Sequence, residues 1–568
     1  MSQTSTDDLG FDPDELRQRY RDERDKRVRT EANEQYTEIA GEFAHYLDDP
    51  YIKFEERAPI IKEVQVAIVG GGFGGMLVAA RLHEAGVHDF TVIEKGGDFG
   101  GTWYWNRYPG AACDVESYIY LPLLEETGFI PASKYTPAPE ILAHCHRIAE
   151  HFNLYSRAML QTEVTDVRWD ESSRRWTIRT NRGDEIRARF ISMANGPLHR
   201  PKLPGIEGVG TFEGHSFHTS RWDYEYTGGT SKGNLTGLKD KVVGIIGTGA
   251  TAVQAVPHLG AGAKQLFVFQ RTPSSIDVRN DTPTDPDWVS SLEPGWQRRR
   301  NENFTNLTSG VFDTEDLVND GWTEIVGNLM LRARKEGGLG TSLEQIGTIV
   351  ENADFEKMNQ VRTRVDEIVK DPATAEALKP WYRQFCKRPC FHDDYLPTFN
   401  RPNVTLVDTG GLGVERITPK GVVANGVEYE LDCLVYATGF EVGTDYARRS
   451  GYETTGSDNL TLTSKWAEGV ETFHGFFSRG FPNCFLVSTA QSGFSVNFPH
   501  MLNEQAIHIA HVVKHATEAG ITRIEASAQA EHDWVEDIKS NSTMNLKFLE
   551  ACTPGYYNNE GKPAERAA

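Results

Sequence analysis

Twice along this chain an apolar run breaks into a glycine turn and resumes as a helix. The first copy reads VQVAIV over 64–69, GGGFGG over 70–75, MLVAARLHEAG over 76–86 and FTVIEK over 90–95. The second reads KVVGII over 241–246, GTGATA over 247–252, VQAVPHL over 253–259 and QLFVFQRTP over 265–273. Each is a strand, a tight turn, a helix and a second strand, the βαβ unit whose glycines let a pyrophosphate reach a helix N-terminus. Two copies predict two bound nucleotides and an α/β fold with two Rossmann-like dinucleotide-binding domains.

The residue closing each unit separates the two nucleotides. Gly70, Gly72 and Gly75 form GxGxxG, and Glu94 ends the following strand, where a carboxylate accepts from ribose hydroxyls. In the second copy Gly247, Gly249 and Ala252 form GxGxxA, and the corresponding position holds Arg271. A carboxylate there would repel a 2′-phosphate, whereas a guanidinium pairs with it through two hydrogen bonds. The first site is therefore read as the FAD site and the second as the NADPH site.

Around these units the chain divides into a helical N-terminal arm over 1–60, a first part of the FAD domain over 61–210, and an NADPH domain over 211–400. The last carries a charged, helix-forming insertion at about 280–380. ELDCLVYATGF over 430–440 echoes RARFISMANG over 187–196, so residues 401–568 are read as a return to the FAD domain plus a C-terminal segment.

With 59 Lys and Arg against 81 Asp and Glu, the net charge of -22 argues against nucleic acid or an anionic membrane as partner. No stretch approaches the roughly 18–20 apolar residues of a membrane span, and the N-terminus lacks a signal pattern. The seven cysteines are scattered unlike a disulfide framework and fit a reducing cytoplasm, which is the expected location. Cys386 and Cys390 have neither spacing used by flavin disulfide reductases, and no metal site is expected.

The stretch FEGHSFHTSRWD over 212–223 lies between the two nucleotide units. Through Phe212, Gly214, His218, Trp222 and Asp223 it matches FxGxxxHxxxW(P/D), so the chain resembles the type I Baeyer–Villiger monooxygenases. The resemblance runs from about residue 45 onward, through GGTWYWNRYPGAACDVES at 100–117, GPLHRPKLPGIEG at 196–208, KRP at 387–389, ATG at 437–439 and GFPNCFLV at 480–487. The long arm is similar to that of members acting on bulky or macrocyclic ketones. AQSGFS at 490–495 departs from the family pattern near the substrate pocket.

The resemblance implies a flavoprotein monooxygenase architecture and an NADPH-dependent enzyme. It would insert an oxygen atom of O₂ beside a cyclic ketone carbonyl, giving an ester or lactone through a flavin C4a-peroxide and a tetrahedral Criegee adduct. It assigns catalysis to Arg388 and Asp114, a permanently charged guanidinium and the carboxylate that orients it. FAD contacts are implied for Gly70, Gly72, Phe73, Gly75, Glu94, Gly101, Thr102, Trp103, Asp114, Tyr120 and Val164. NADPH contacts are implied for Thr248, Gly249, Thr251, Gln254, Arg271, Thr272 and Lys387. His218 is assigned to the hinge between domains. Two other readings share these folds: a flavin monooxygenase oxygenating nitrogen or sulfur, and an NADPH-flavin electron carrier. The carrier would need a second redox centre, for which no cysteine or metal-ligand cluster speaks. The expected partners are a small-molecule ketone and O₂, with the chain acting as a monomer or homodimer.

Overall fold

The computed structural model describes residues 10–309, 311, 315–327, 343–492 and 495–563. Parts of the expected insertion, and Gly493 and Phe494 of the AQSGFS stretch, lie outside the described residues.

Two parallel sheets organise the molecule. In the first, Ile61–Val69 lies between Phe90–Ile93 and Glu185–Met193, with Ala158–Met159 beyond Phe90–Ile93. Cys484–Leu486 joins the far side of Glu185–Met193. The C-terminal ends of Ile61–Val69 and Glu185–Met193 are buried continuously, as parallel strands covered on both faces require. The stretches Val164–Asp170 and Arg175–Thr180 form an antiparallel meander on the same sheet; every second residue of Arg175–Thr180 is buried, and a register shift between Val164 and Asp166 offsets the alternation in its partner.

The second sheet has five parallel strands: Val404–Asp408, Gln265–Gln270, Val242–Ile246, Cys433–Tyr436 and His215–His218 in spatial order. This moves an expected boundary. Residues 404–436 complete the second sheet, and the chain rejoins the first only at Thr454–Thr455 and Cys484–Leu486. The likeness between 430–440 and 187–196 suggested a return to the FAD domain at residue 401. It arises instead because each segment is the last strand beside its own nucleotide turn. A Cβ on Gly70 would stand 2.3 Å from the Ala194 carbonyl oxygen, and one on Gly247 2.4 Å from that of Ala437. Both glycines have positive φ, +109° and +114°, which the close approach of the return strand imposes.

The arm is helical over Pro13–Asp25, with Asp12 accepting from Asp14 N and Glu15 N as its cap and Pro13 at its first position. It then becomes short turns and an extended pair, Tyr36–Thr37, bonded antiparallel to Leu203–Pro204. Long helices Leu343–Ile368, Phe498–Glu518 and Ala528–Ala551 cover the body. Among the described residues no helix is long and apolar enough to cross a membrane.

One cysteine expectation is corrected. Cys386 is bonded to Cys552, 166 residues away, while the other five cysteines are free and buried. A bond across that separation leaves no trace in local spacing. It fastens the segment before Lys387 and Arg388 to the C-terminal stretch 552–563.

Candidate active site

The FAD turn is built on backbone proximity. Gly75, in the first turn of the helix Phe73–Glu84, lies so close to the strand that a Cβ would stand 1.8 Å from the Gly70 oxygen. On Gly101, at φ +53°, a Cβ would stand 2.6 Å from Gly72 Cα, which brings the GGTWYW turn against the first glycine loop. Glu94 is buried and accepts from Gly71 N and Gly96 N, each at 2.6 Å; burial nonetheless pushes its carboxyl upward. Thr102 opens the turn Thr102–Trp105, Trp103 Nε1 donates to Tyr120 Oη at 3.2 Å, and the Phe73 ring meets Tyr120 edge-on. Val164 is buried at the start of the meander strand. These backbone clefts and the inward carboxylate suit a dinucleotide diphosphate and its ribose.

In the second unit a Cβ on Gly249 would meet nothing within 4 Å, so the space above this helix N-terminus is open for a phosphate. Thr248 Oγ1 donates to the Thr272 carbonyl, while the Thr272 hydroxyl is buried without a partner among the described residues. Gln254 and Thr251, on the same helix, also reach the first domain. The Gln254 amide donates to Ala112 O at 3.0 Å and accepts from Tyr108 Oη at 2.8 Å, and Thr251 also bonds the Tyr108 hydroxyl. Both residues thereby join the second domain to the 108–114 loop of the first.

That loop carries Asp114, which meets Arg388 in a two-bond fork: Nη1 to Oδ2 at 2.5 Å and Nη2 to Oδ1 at 2.6 Å. The two residues are 274 apart in sequence. Arg388 follows the turn Gln384–Cys386 and precedes Cys390–Phe391, which pairs in parallel with Ile276–Asp277. Arg388 and Arg271 are thus tethered to one short two-stranded element. Burial alone would lower the Arg388 guanidinium, but the Asp114 charge and hydrogen bonds outweigh it and hold it well above its ordinary value. The side chain is still 31% exposed, so a permanently charged donor remains available on its outer side.

Sequence reasoning missed the supports of this pair. Trp322 Nε1 donates to the Asp114 carbonyl at 2.9 Å, and its ring lies 5.6 Å from the Arg388 guanidinium. Trp322 sits in the helix over 321–327, capped by Asp320, whose Oδ1 accepts from Trp322 N and Thr323 N. Nothing in a charged insertion marks one tryptophan as facing the site. Arg279 adds donors to the Cys113 and Tyr135 carbonyls.

Arg271 lies among groups from both ends of the chain. Its Nη1 donates to Gln35 Oε1 at 2.5 Å, and its Nη2 lies 3.4 Å from Glu560 Oε2. Lys387 is pushed down to about 8 by burial, with Arg271 adding to the effect. It has no ion pair among the described residues.

The fingerprint lies at the domain junction. His215–His218 is the edge strand beside Cys433–Tyr436, and a Cβ on Gly214 would collide with the Phe212 ring at 2.4 Å. His218 is fully buried, pushed down to about 3 chiefly by burial, and bonded through Nδ1 to Ser220, which fixes it as a neutral ring in the linkage. Trp222 Nε1 donates to Thr227 Oγ1 at 3.1 Å, and Asp223 caps Tyr224–Thr227 while meeting His215 Nε2 at 2.9 Å. Between them Arg221, not singled out from sequence, stacks 3.8 Å above the Trp105 ring and donates to the Asp48 and His199 carbonyls. It joins the arm, the first domain and the fingerprint.

Comparison with known proteins follows the same lines. The family model described as pyridine nucleotide-disulphide oxidoreductase matches residues 67–305. Neopentalenolactone D synthase of Streptomyces avermitilis is 57% identical over 97% of this chain and 93% of its own length. The Baeyer-Villiger monooxygenase ATR8 of Stachybotrys chlorohalonatus is 52% identical over 99% of this chain and 91% of its own. The solved polycyclic ketone monooxygenase of Thermothelomyces thermophila superposes with a TM-score of 0.90 at 40% identity, covering 98% of this chain and 94% of that one.

Proposed function

Because this chain belongs to the type I Baeyer–Villiger monooxygenases, which use FAD and NADPH to convert ketones to esters or lactones, we propose that its own substrate is a bulky cyclic or polycyclic ketone and that Arg388, held by Asp114, is the cation serving oxygen insertion. The fork between these two side chains is the observation that carries the reading. A guanidinium cannot lose its proton at working pH, and a carboxylate gripping one edge leaves the other edge to meet an oxyanion. The charge is pre-oriented, so little rearrangement is needed as negative charge develops.

Gly70, Gly72, Gly75 and Glu94 would hold the FAD diphosphate and ribose, with Gly101, Thr102, Trp103, Tyr120 and Val164 around them. Thr248, Gly249, Arg271, Thr272 and Lys387 would hold NADPH, Arg271 and Lys387 taking the 2′-phosphate. When bound, the cofactors supply the hydride and the oxygen-activating ring. Thr251 and Gln254 belong to the same coenzyme set and also bond the loop that carries Asp114, so coenzyme binding and the catalytic pair share one support. The size of the ketone is inferred from the polycyclic substrate named for the solved relative and from the long arm.

Arg388→Ala should reduce ester or lactone formation by roughly a hundredfold or more while NADPH still reduces the flavin in single-turnover absorbance. Ester formation at a normal rate in that variant would reject the assignment. A screen of small, medium and polycyclic ketones with product identification tests the substrate class, and preference for small acyclic ketones would overturn it.

A further inference from the structure

The stretch 552–562 ends in a compact knot over the proposed coenzyme seat. Asn558 organises it: its Oδ1 accepts from Gly555 N at 2.9 Å and Gly561 N at 3.2 Å, and its amide donates to the carbonyls of Leu549, Cys552 and Thr553. Asn33 of the arm donates to Asn559 Oδ1 at 2.6 Å, and the Cys386–Cys552 bond anchors the base. Asn559 and Glu560 both adopt positive φ, +51° and +54°, a conformation side chains other than glycine rarely take. That backbone aims Glu560 inward, where it is 3% exposed.

Its surroundings are cationic. Arg271 Nη2 lies 3.4 Å from Glu560 Oε2, while Tyr36 Oη donates to Oε1 at 3.3 Å and Gln35 Nε2 to Oε2 at 3.4 Å. Lys387 and Lys202 are both held down to about 8 chiefly by burial, and in each case the Glu560 charge opposes the fall. A Cβ on Gly555 would lie 3.5 Å from Lys387 Nζ, so the knot packs directly on this lysine. The carboxylate therefore balances the positive charge proposed above to receive a 2′-phosphate.

We propose that Glu560 is a built-in placeholder for the 2′-phosphate of NADPH, a coenzyme-specificity residue that must withdraw from Arg271 before the phosphate can take its place. The inference rests on the assignment of Arg271 and Lys387 to that phosphate. Two anions cannot share the seat without strong repulsion, and withdrawal releases the strained backbone at 559–560 along with the buried charge. NADH carries no such phosphate and does not require the exchange. The segment thus lowers affinity for the phosphorylated coenzyme in return for a neutralised, ordered site when the coenzyme is absent.

The test uses the FAD-loaded full chain titrated by calorimetry with 2′,5′-ADP and with 5′-AMP. Glu560→Gln should bind 2′,5′-ADP about ten- to hundredfold more tightly than the unaltered enzyme, with 5′-AMP unchanged. In the unaltered holoenzyme, 2′,5′-ADP should speed backbone hydrogen exchange over 552–562, and 5′-AMP should not; this arm needs no variant to fold. Arg271→Ala is the control on the underlying assignment and should abolish the preference for 2′,5′-ADP. If it does not, the phosphate site lies elsewhere. If it does, yet Glu560→Gln leaves 2′,5′-ADP affinity unchanged or weakened, or exchange over 552–562 slows on binding, Glu560 is a fixed partner of Arg271 and the placeholder role is wrong.

Discussion

The indole of Trp322 donates to the carbonyl oxygen of Asp114 across 2.9 Å, so a helix of the insertion fixes the residue that grips Arg388. The same ring lies 5.6 Å from the guanidinium it helps to position. Trp322→Phe keeps an aromatic face there and removes only the donor, a loss of about 1 kcal/mol in positioning. Ester formation should fall several-fold and hydrogen peroxide release should rise to match, while the rate of flavin reduction by NADPH stays unchanged. A reduction rate that falls in parallel would mean that Trp322 supports the coenzyme rather than the oxygen step.

Lys387 predicts how coenzyme affinity varies with pH. Burial pushes it down to about 8, so in the free enzyme it is charged below that value and loses its proton above it. A bound phosphate dianion would favour the charged form, so affinity is complete below pH 8 and falls as pH rises past it, by up to tenfold per unit. The KM for NADPH should therefore climb between pH 8 and 9.5 while that for NADH stays level. Parallel profiles for the two coenzymes would remove Lys387 from the 2′-phosphate.

Asp320, the cap beneath Trp322, is pushed up from 3.8 to about 7 by burial. Its raised value means that the folded state holds a proton the unfolded chain has already lost. The associated stability is complete below pH 4, is lost as pH rises to about 7, and stays absent above; its size is on the order of 2–4 kcal/mol. Asp320→Asn retains an oxygen for Trp322 N and Thr323 N and removes the charge. Its melting temperature should exceed that of the unaltered enzyme at pH 8, with the gap narrowing as pH falls and closing near pH 4. A constant offset across this range would show that Asp320 does not titrate there.

The two glycine turns should respond differently to one added methyl group. Gly75→Ala drives a Cβ to 1.8 Å from the Gly70 oxygen, so helix and strand must separate and purified protein should lose most of its FAD absorbance. Gly249→Ala meets no protein atom within 4 Å. That variant should fold with normal FAD content yet show a raised KM for NADPH, because the methyl group enters the space reserved for phosphate. Normal NADPH kinetics in Gly249→Ala would move the pyrophosphate away from this helix.

Much of this was legible in the sequence, and the limits have physical causes. Gly70, Gly75 and Gly247 show themselves because backbone contact leaves no alternative residue, and Arg271 because it stands where the first unit has Glu94. Asp114 and Arg388 were paired only through family likeness, since no local pattern joins positions 274 apart. Trp322, Arg221 and Glu560 act through contacts made by distant segments, which no spacing reveals. The Cys386–Cys552 bond was invisible for the same reason. The echo between 187–196 and 430–440 was real but was assigned to the wrong sheet, because the same strand pattern backs both turns.

That shared pattern bears on how chimeric enzymes should be cut. A block exchanged over 212–400 would carry the second glycine turn but leave behind Val404–Asp408 and Cys433–Tyr436, two of the five strands of its sheet. The Ala437 carbonyl that backs Gly247 would then come from the recipient, and every mismatch in that strand would fall on the coenzyme loop. Splice points placed before His215 and after Gly439 would transplant all five strands of that sheet together with both carbonyl and glycine of the turn.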